Sequence, residues 1–237
     1  MAVAQPLRER LSDLLEEAAL APDDRLGDYT VDGRIPTAVA IPSGEEQLAS
    51  VLAFASREGL SVVPRGSGSL GTLGNPPQNV DIVLATTGLE PLIDHRPDDL
   101  TVTVSAGVTL GALRERLAAS GQWLPLDPPL APRRTIGGIL ATDLSGPLSL
   151  SQGIARDLVI GMRVAGPDGE VTKSGGRVVK NVTGFDLAKL HIGALGTLGV
   201  ILEASFKVWP LPSADTTQVG GGGQGPGAQA PHQRGCG

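Results

Sequence analysis

Ser61–Gly71 reads S-V-V-P-R-G-S-G-S-L-G, a short β-branched run that breaks behind a proline into a turn dense in glycine. Backbone this bare at the end of a strand suits an anion. Gly66, Gly68 and Gly71 lack a Cβ, so the chain can take positive φ and turn successive N–H groups inward as a nest. Arg65 sets a positive charge beside it. The spacing Gly66-x-Gly68-x-x-Gly71 also fits the dinucleotide fingerprint of a nicotinamide-binding fold, but that fingerprint needs its third glycine to open a helix that receives the pyrophosphate. Gly71 is followed instead by T-L-G-N-P-P-Q-N, where Gly74, Asn75, Pro76 and Pro77 forbid a helix, and the loop runs into a further strand, V-D-I-V-L-A at 80–85.

Upstream, A-V-A-I-P precedes S-G-E-E-Q-L-A-S-V-L-A-F-A-S-R-E-G, which predicts a helix capped by Ser43, acidic in its first turn and closed by Gly59. With L-S-V-V-P behind it this is strand–helix–strand, the parallel crossover unit, and it delivers the glycine loop to the carboxyl end of a strand, where open α/β sheets place ligands. Earlier still, Leu7, Leu11, Leu14, Leu15 and Leu20 form one stripe over residues 6–20 and predict a peripheral helix.

Downstream, the segment Leu89 to Asp94 leads to T-V-T-V-S-A-G at 101–107, whose alternation predicts a half-buried strand. Thr109 is set to cap a helix ending at Gly121, and the prolines between 125 and 132 predict a stiff loop. The runs on either side of Asp168-Gly169 predict a tight hairpin, and the stretch after Leu198 predicts another strand. A crossover half followed by a hairpin-rich half implies an α+β architecture of two lobes, about 36–107 and 108–212, with a cleft between them. Residues 1–35 then form an N-terminal helix and loop. Residues 213–237, glycine-rich with almost nothing to bury, predict a disordered tail.

Composition removes several classes. A net charge of -6 argues against nucleic acid or an anionic membrane surface as the main partner. The one cysteine, Cys236, excludes internal disulfides, iron–sulfur ligation and zinc-thiolate sites, so any iron–sulfur centre would sit on another chain. No stretch approaches the roughly 18 uninterrupted apolar residues of a membrane span, and no apolar signal core opens the chain. The cytoplasm is the default location, with membrane association only through partner subunits. No Ser-His-Asp set and no paired carboxylates speak for hydrolysis.

Two further glycine sites follow: Thr135-Ile136-Gly137-Gly138 with Ala141, Ser145 and Gly146 behind it, and Gly196-Thr197-Leu198-Gly199-Val200-Ile201 just before a strand. Three such sites spread over both lobes suggest a long ligand lying between them. The ordered series P-R-G-S-G-S-L-G, D-P-P, T-I-G-G-I-L-A-T-D-L-S-G, R-D-L-V-I-G, K-N-V-T-G-F-D-L and L-G-T-L-G-V-I resembles the FAD-binding domain of the vanillyl-alcohol oxidase or PCMH type. Within it the series is most similar to the E subunit of bacterial glycolate oxidase, for which K-N-V-x-G-[FY]-D-L is the most specific marker.

That resemblance implies a cofactor, a chemistry and partners. Arg65, Gly66, Ser67, Gly68, Ser69 and Gly71 would cradle the FAD pyrophosphate; Thr135, Gly137, Gly138, Ala141, Ser145 and Gly146 would line the opposite wall. Asp157, Leu158 and Val159 would offer backbone toward the adenine end, and Gly199, Val200 and Ile201 would close over the cofactor. The implied activity is oxidation of a small 2-hydroxy acid by hydride transfer to FAD, beside flavoprotein and iron–sulfur partner subunits; the rival is a noncatalytic FAD-binding or complex-docking module.

Three departures qualify the resemblance. Many relatives attach FAD through a histidine in the first loop; Ser69 stands there and implies a noncovalent flavin. Asp143 stands where related oxidases commonly have Asn. The C-terminal cap that carries substrate contacts has no counterpart, its place taken by the glycine-rich tail.

Among the remaining candidates, His191 reads as a satisfied packing residue and His95 as solvated in an acidic turn. Arg133 and Arg134 have the charge to neutralise phosphate but precede the family motif. Lys180, Asn181 and Asp186 either reach the flavin or a partner subunit, or fix a turn.

Overall fold

The computed structural model describes residues 6–176 and 187–212. After helix α1 (Leu7–Ser12), three parallel strands build the small lobe: β1 (Ala38–Ala40), β2 (Val62–Arg65) and β3 (Ile82–Ala85), with helix α2 (Glu45–Glu58) joining the first two. The order is β1-β3-β2, so the crossover skips a place that β3 fills. The choice follows burial: I-V-L-A of β3 is wholly buried and takes the centre, whereas V-V-P-R of β2 is half-exposed and takes an edge, where its proline needs no ladder partner.

The expected N-terminal helix is short. Ser12 Oγ donates to the Glu9 carbonyl at 2.7 Å, and the chain leaves the helix after Ser12, although Leu11, Leu15 and Leu20 are buried as the stripe predicts. Ser43 does not cap α2. Gly44 occupies that position, and the Ser43 backbone N–H donates to Gln47 Oε1 at 2.8 Å, so a glutamine reaching back replaces the serine cap. Gly59 closes the helix in the left-handed region at φ 65°, as expected.

The large lobe is an antiparallel sheet of five strands: β4 (Ile93–Arg96), β5 (Thr101–Ser105), β7 (Val159–Ala165), β8 (Val171–Gly175) and β9 (Val200–Lys207), in the order β4-β5-β9-β7-β8. Between β5 and β7 the chain makes α3 (Leu110–Ala118), the short strand β6 (Gln122–Trp123), α4 (Ile136–Thr142), α5 (Ser149–Gln152) and α6 (Ala155–Leu158). Helix α7 (Ala188–His191) precedes β9, and β10 (Trp209–Pro210) pairs with β6. Thr109 caps α3 as predicted, accepting from the Ala112 N–H, and Gly169 at φ 85° turns the β7–β8 hairpin.

Three expectations are corrected. The large sheet starts at Ile93 and takes in β4 and β5, ahead of the boundary at residue 107, because both strands hydrogen-bond on the β9 side of the molecule. Strand β5 is buried on both faces: Val102 and Val104 enter the core, while Thr103 Oγ1 meets Ser205 Oγ at 2.7 Å and Ser105 Oγ donates to the Glu90 carbonyl. Alternation reported polarity, and internal hydrogen bonds let Thr103 and Ser105 go under, while Thr101 Oγ1 is buried with no partner among the described residues. His95 lies in β4, its Nε2 2.8 Å from Gln122 Oε1, rather than in solvent.

Val102, Val104, Met162, Val164, Ala204 and Phe206 pack against Leu110, Leu113 and Leu117 of α3 and Ile136, Ile139 and Leu140 of α4. A second core sets α2 and β3 against Ala165, Val200 and Leu202 of the large sheet, so the two lobes share buried surface. Each such Leu, Ile or Phe contributes about 1.5–3 kcal/mol, against about 0–1 kcal/mol for an exposed ion pair such as Arg25–Asp28.

Candidate functional site

Strand β2 ends at Arg65, and the chain turns through Gly66–Gly71 without a helix, as the sequence requires. Facing it is the start of α4, where Thr135 accepts the Gly138 N–H at 3.3 Å as cap and the Gly137 N–H donates to the Ala106 carbonyl at 2.9 Å. The walls touch at Gly66, where any Cβ would overlap Thr135 Oγ1. Only Gly68 of the loop takes positive φ, at 71°, so the expected run of left-handed glycines reduces to one; Gly66 is required by close approach, and Gly71 by neither.

Two adjoining cavities lie where the glycine segments meet, beside a wider opening along residues 71–75 and Leu195–Thr197. The larger, about 160 Å³, is lined by residues 65–71 from one side and by Arg134, Gly138, Ala141, Thr142 and Leu195 from the other. The smaller, about 50 Å³, lies against Gly137, His191, Gly196 and Gly199 to Ile201. Arg65, Gly66, Gly138 and Ala141 border both. The structure therefore brings the three glycine sites together, as the ligand-between-lobes reading needs. Both cavities are below the roughly 300–1,000 Å³ of a drug-sized site, so they suit part of an elongated ligand.

Not every expected residue reaches the cavities. Thr135 is 1% exposed and stands just behind Gly66 and Gly138. The Gly146 N–H donates to Asp127 Oδ1 at 3.1 Å and the Leu148 N–H to its Oδ2 at 3.0 Å, so that turn is tied to the proline loop, while Ser145 Oγ is buried without a partner. Asp157 accepts the Ile154 N–H, Leu158 is buried, and Val159 opens β7. These three line neither cavity. Lys180, Asn181, Phe185 and Asp186 lie outside the described residues, as does 213–237.

Electrostatics mark the larger cavity more sharply than glycine does. Among the described residues its lining contains Arg65 and Arg134 and no carboxylate, in a chain of net charge -6. Arg65 stacks on Tyr29, 5.0 Å from the ring centre; among the described residues its buried Nη1 has no partner, and neither has Nε of Arg134, which is 4% exposed. Buried charge without a counter-ion is costly, and an anion in the cavity would compensate it. The sequence reading left Arg134 beside Arg133 outside the motif; the structure separates them, Arg133 exposed and Arg134 buried.

His191 is not a satisfied packing residue. Its Nδ1 is buried without a partner at the smaller cavity, and burial lowers its pKa below the usual 6.5, favouring the neutral ring. Asp143 ends α4 at φ 48°. Burial raises its pKa, the positive charge of Arg156 opposes that, and Asp157 adds to it.

Fold and site together define a domain that clasps an anionic, elongated ligand between a strand-end glycine loop and a capped helix. The sequence signature described as FAD binding domain matches residues 36–175, and the chain belongs to that family. Its cofactor is FAD, and the resemblance to the PCMH type holds. The chain is 32% identical over 183 residues to glycolate oxidase subunit GlcD of Bacillus subtilis (strain 168), covering 77% of this chain and 39% of that protein. It is 36% identical over 156 residues to glycolate oxidase subunit GlcE of Escherichia coli (strain K12), covering 65% and 43%. A D-2-hydroxyglutarate dehydrogenase of Xanthomonas citri pv. viticola is 32% identical over 177 residues, covering 75% and 38%. The chain thus spans about two-fifths of the length of these relatives. A solved alkyldihydroxyacetonephosphate synthase superposes with a TM-score of 0.75 at 23% identity, over 90% of this chain and 42% of that one, which shows the shared fold.

The residues present fit the cofactor. Two partnerless guanidinium nitrogens await an anion, and the Gly66 and Gly137 positions keep the two walls free of side chains.

Proposed function

We propose that this chain is the FAD-binding part of an oxidoreductase acting on a small 2-hydroxy acid, assembled with flavoprotein and iron–sulfur partner subunits. The observation that carries the reading is the acid-free cavity in which Arg65 and Arg134 face three convergent glycine segments. The names of the relatives, glycolate oxidase subunits and D-2-hydroxyglutarate dehydrogenase, support the substrate class.

FAD, when bound, supplies the two-electron acceptor for oxidation at the hydroxyl-bearing carbon; the protein supplies placement and electrostatics. Residues 65–71 and the start of α4 hold the phosphates, with Arg65 as counter-charge. Gly196 and Gly199, without side chains, border the smaller cavity at the flavin end, and the neutral His191 avoids a second positive charge there. Ser69 offers no ring nitrogen for attachment, so the flavin is noncovalent, and acid precipitation should leave it in the supernatant.

A second reading is an FAD-binding module that turns over no substrate by itself. Purified protein tests both. A yellow protein whose visible absorption is bleached anaerobically by glycolate, D-lactate or D-2-hydroxyglutarate supports the catalytic reading. A yellow protein that stays coloured supports the module, and a colourless one that takes up no FAD overturns both.

A further inference from the structure

Arg65 accounts for one charge in the larger cavity; the other comes from the opposite lobe. Arg134 sits between the turn at Ala131–Arg133 and the capped start of α4, and its backbone is fixed on both sides: its carbonyl accepts the Leu110 N–H at 2.8 Å and its N–H donates to the Ala131 carbonyl at 3.2 Å. The side chain lies in the interior, 4% exposed, and among the described residues its Nε has no partner and the cavity's lining holds no carboxylate. An arginine kept for structure would be expected to hold an acid or a set of carbonyls. This one borders the cavity that Arg65 enters from the other side.

We propose that Arg134 is a second phosphate-binding residue, and that Arg65 and Arg134 form a two-guanidinium clamp, one arm on each lobe, for the diphosphate of the dinucleotide. The inference rests on the FAD reading above and deepens it: recognition of the phosphates is divided between the lobes, so the anion ties the cleft together as well as anchoring the flavin. Guanidinium groups suit this because they present fixed pairs of donors to phosphate oxygens and remain charged when buried. The clamp also makes the empty cleft electrostatically unfavourable, since two like charges share it without a counter-ion.

The test compares Arg134→Met, which keeps the stem and removes the charge, with Arg134→Lys. FAD, ADP and the phosphate-free riboflavin are titrated against each by fluorescence, at low and high salt, and ligand-free melting temperatures are recorded. Arg134→Met should weaken FAD and ADP at least tenfold, leave riboflavin unchanged, flatten the salt dependence of FAD binding, and melt no lower than the wild type without ligand. Arg134→Lys should recover part of the FAD affinity. Equal weakening of all three ligands with a lower melting temperature would assign Arg134 a structural role and overturn the clamp, as would unchanged FAD affinity. Should Arg134→Met not fold, the arginine Nε–H resonances of the wild type, assigned through Arg134→Lys, decide: a shift of the Arg134 signal on adding ADP or inorganic pyrophosphate supports the clamp, and no shift removes it. A wild type that binds ADP through Arg134 but takes up no FAD would defeat the flavin reading and leave the anion site standing.

Discussion

The two walls of the cleft carry glycine for different reasons. On the small-lobe side Ser67, Ser69 and Gly71 are exposed, and a Cβ on Gly71 would meet nothing closer than 3.8 Å. On the large-lobe side Thr135, Ile136, Ile139 and Leu140 are buried, and a Cβ on Gly137 would stand 2.8 Å from Ala106 Cβ. One wall is a surface turn that can adapt to a ligand; the other is the packed start of a helix laid on a sheet. Changes in the turn should register first as lost affinity, and changes in the helix start first as lost stability.

Gly66 is the exception that tests this division, because it belongs to the turn by sequence and touches Thr135 of the other wall. Gly66→Ala should destabilise the fold by about 2–3 kcal/mol through overpacking and abolish FAD binding. Gly71→Ala, whose Cβ would meet nothing closer than 3.8 Å, should stay within about 0.5 kcal/mol of the parent. Urea unfolding followed by far-UV circular dichroism measures both. Equal midpoints for the two variants would mean that the walls do not meet at Gly66.

Gly137→Ala comes next, expected to cost about 1–3 kcal/mol through its clash with Ala106. The contact is side chain to side chain at its closest point, so adding Ala106→Gly should return part of the loss. Additive losses in that double-mutant cycle would show that the two positions are not in contact.

How far this contrast was legible in the sequence depends on range. The strand-end turn, the missing helix after Gly71, the Thr109 cap and the Asp168-Gly169 hairpin are set by residues within a few positions of one another, and each stands where the pattern put it. The convergence of the three glycine sites followed from their order. What escaped was set by distant partners. Gln122 takes His95 out of solvent, Ser205 lets Thr103 of β5 be buried, and β3 separates strands that are consecutive in sequence. Arg134 looked like its neighbour Arg133 because nothing local distinguishes an arginine pointing inward from one pointing out.

A smaller effect sharpens the helix wall at its far end. Asp143 ends α4 in a left-handed conformation that Asn adopts equally well, so Asp143→Asn alters charge with little strain. Because burial holds the folded-state pKa above 3.8, the protonated acid contributes stability that is fully present below pH 3.8 and lost as pH rises through the folded value. At pH 7 the amide should therefore raise the urea midpoint above that of the parent. The gain should vanish in acid, and an advantage independent of pH would show that ionisation of Asp143 is not its source.

The smallest expected effect comes from His191, on the edge shared by both walls. Its folded-state pKa lies below 6.5, so below that pH the unfolded chain takes up protons that the fold excludes. Stability is then intact above pH 6.5 and declines as pH falls toward the folded value. His191→Gln has no such proton to take up, so the difference in urea midpoint between variant and parent should shift in the variant's favour between pH 7.5 and pH 5.5. FAD adds a second arm to the measurement. If the flavin covers the unpartnered Nδ1, bound cofactor should push the window further toward acid in the parent and leave the variant unmoved. A parent whose pH profile is the same with and without FAD would place His191 away from the cofactor, and would assign its burial to the packing of α7 alone.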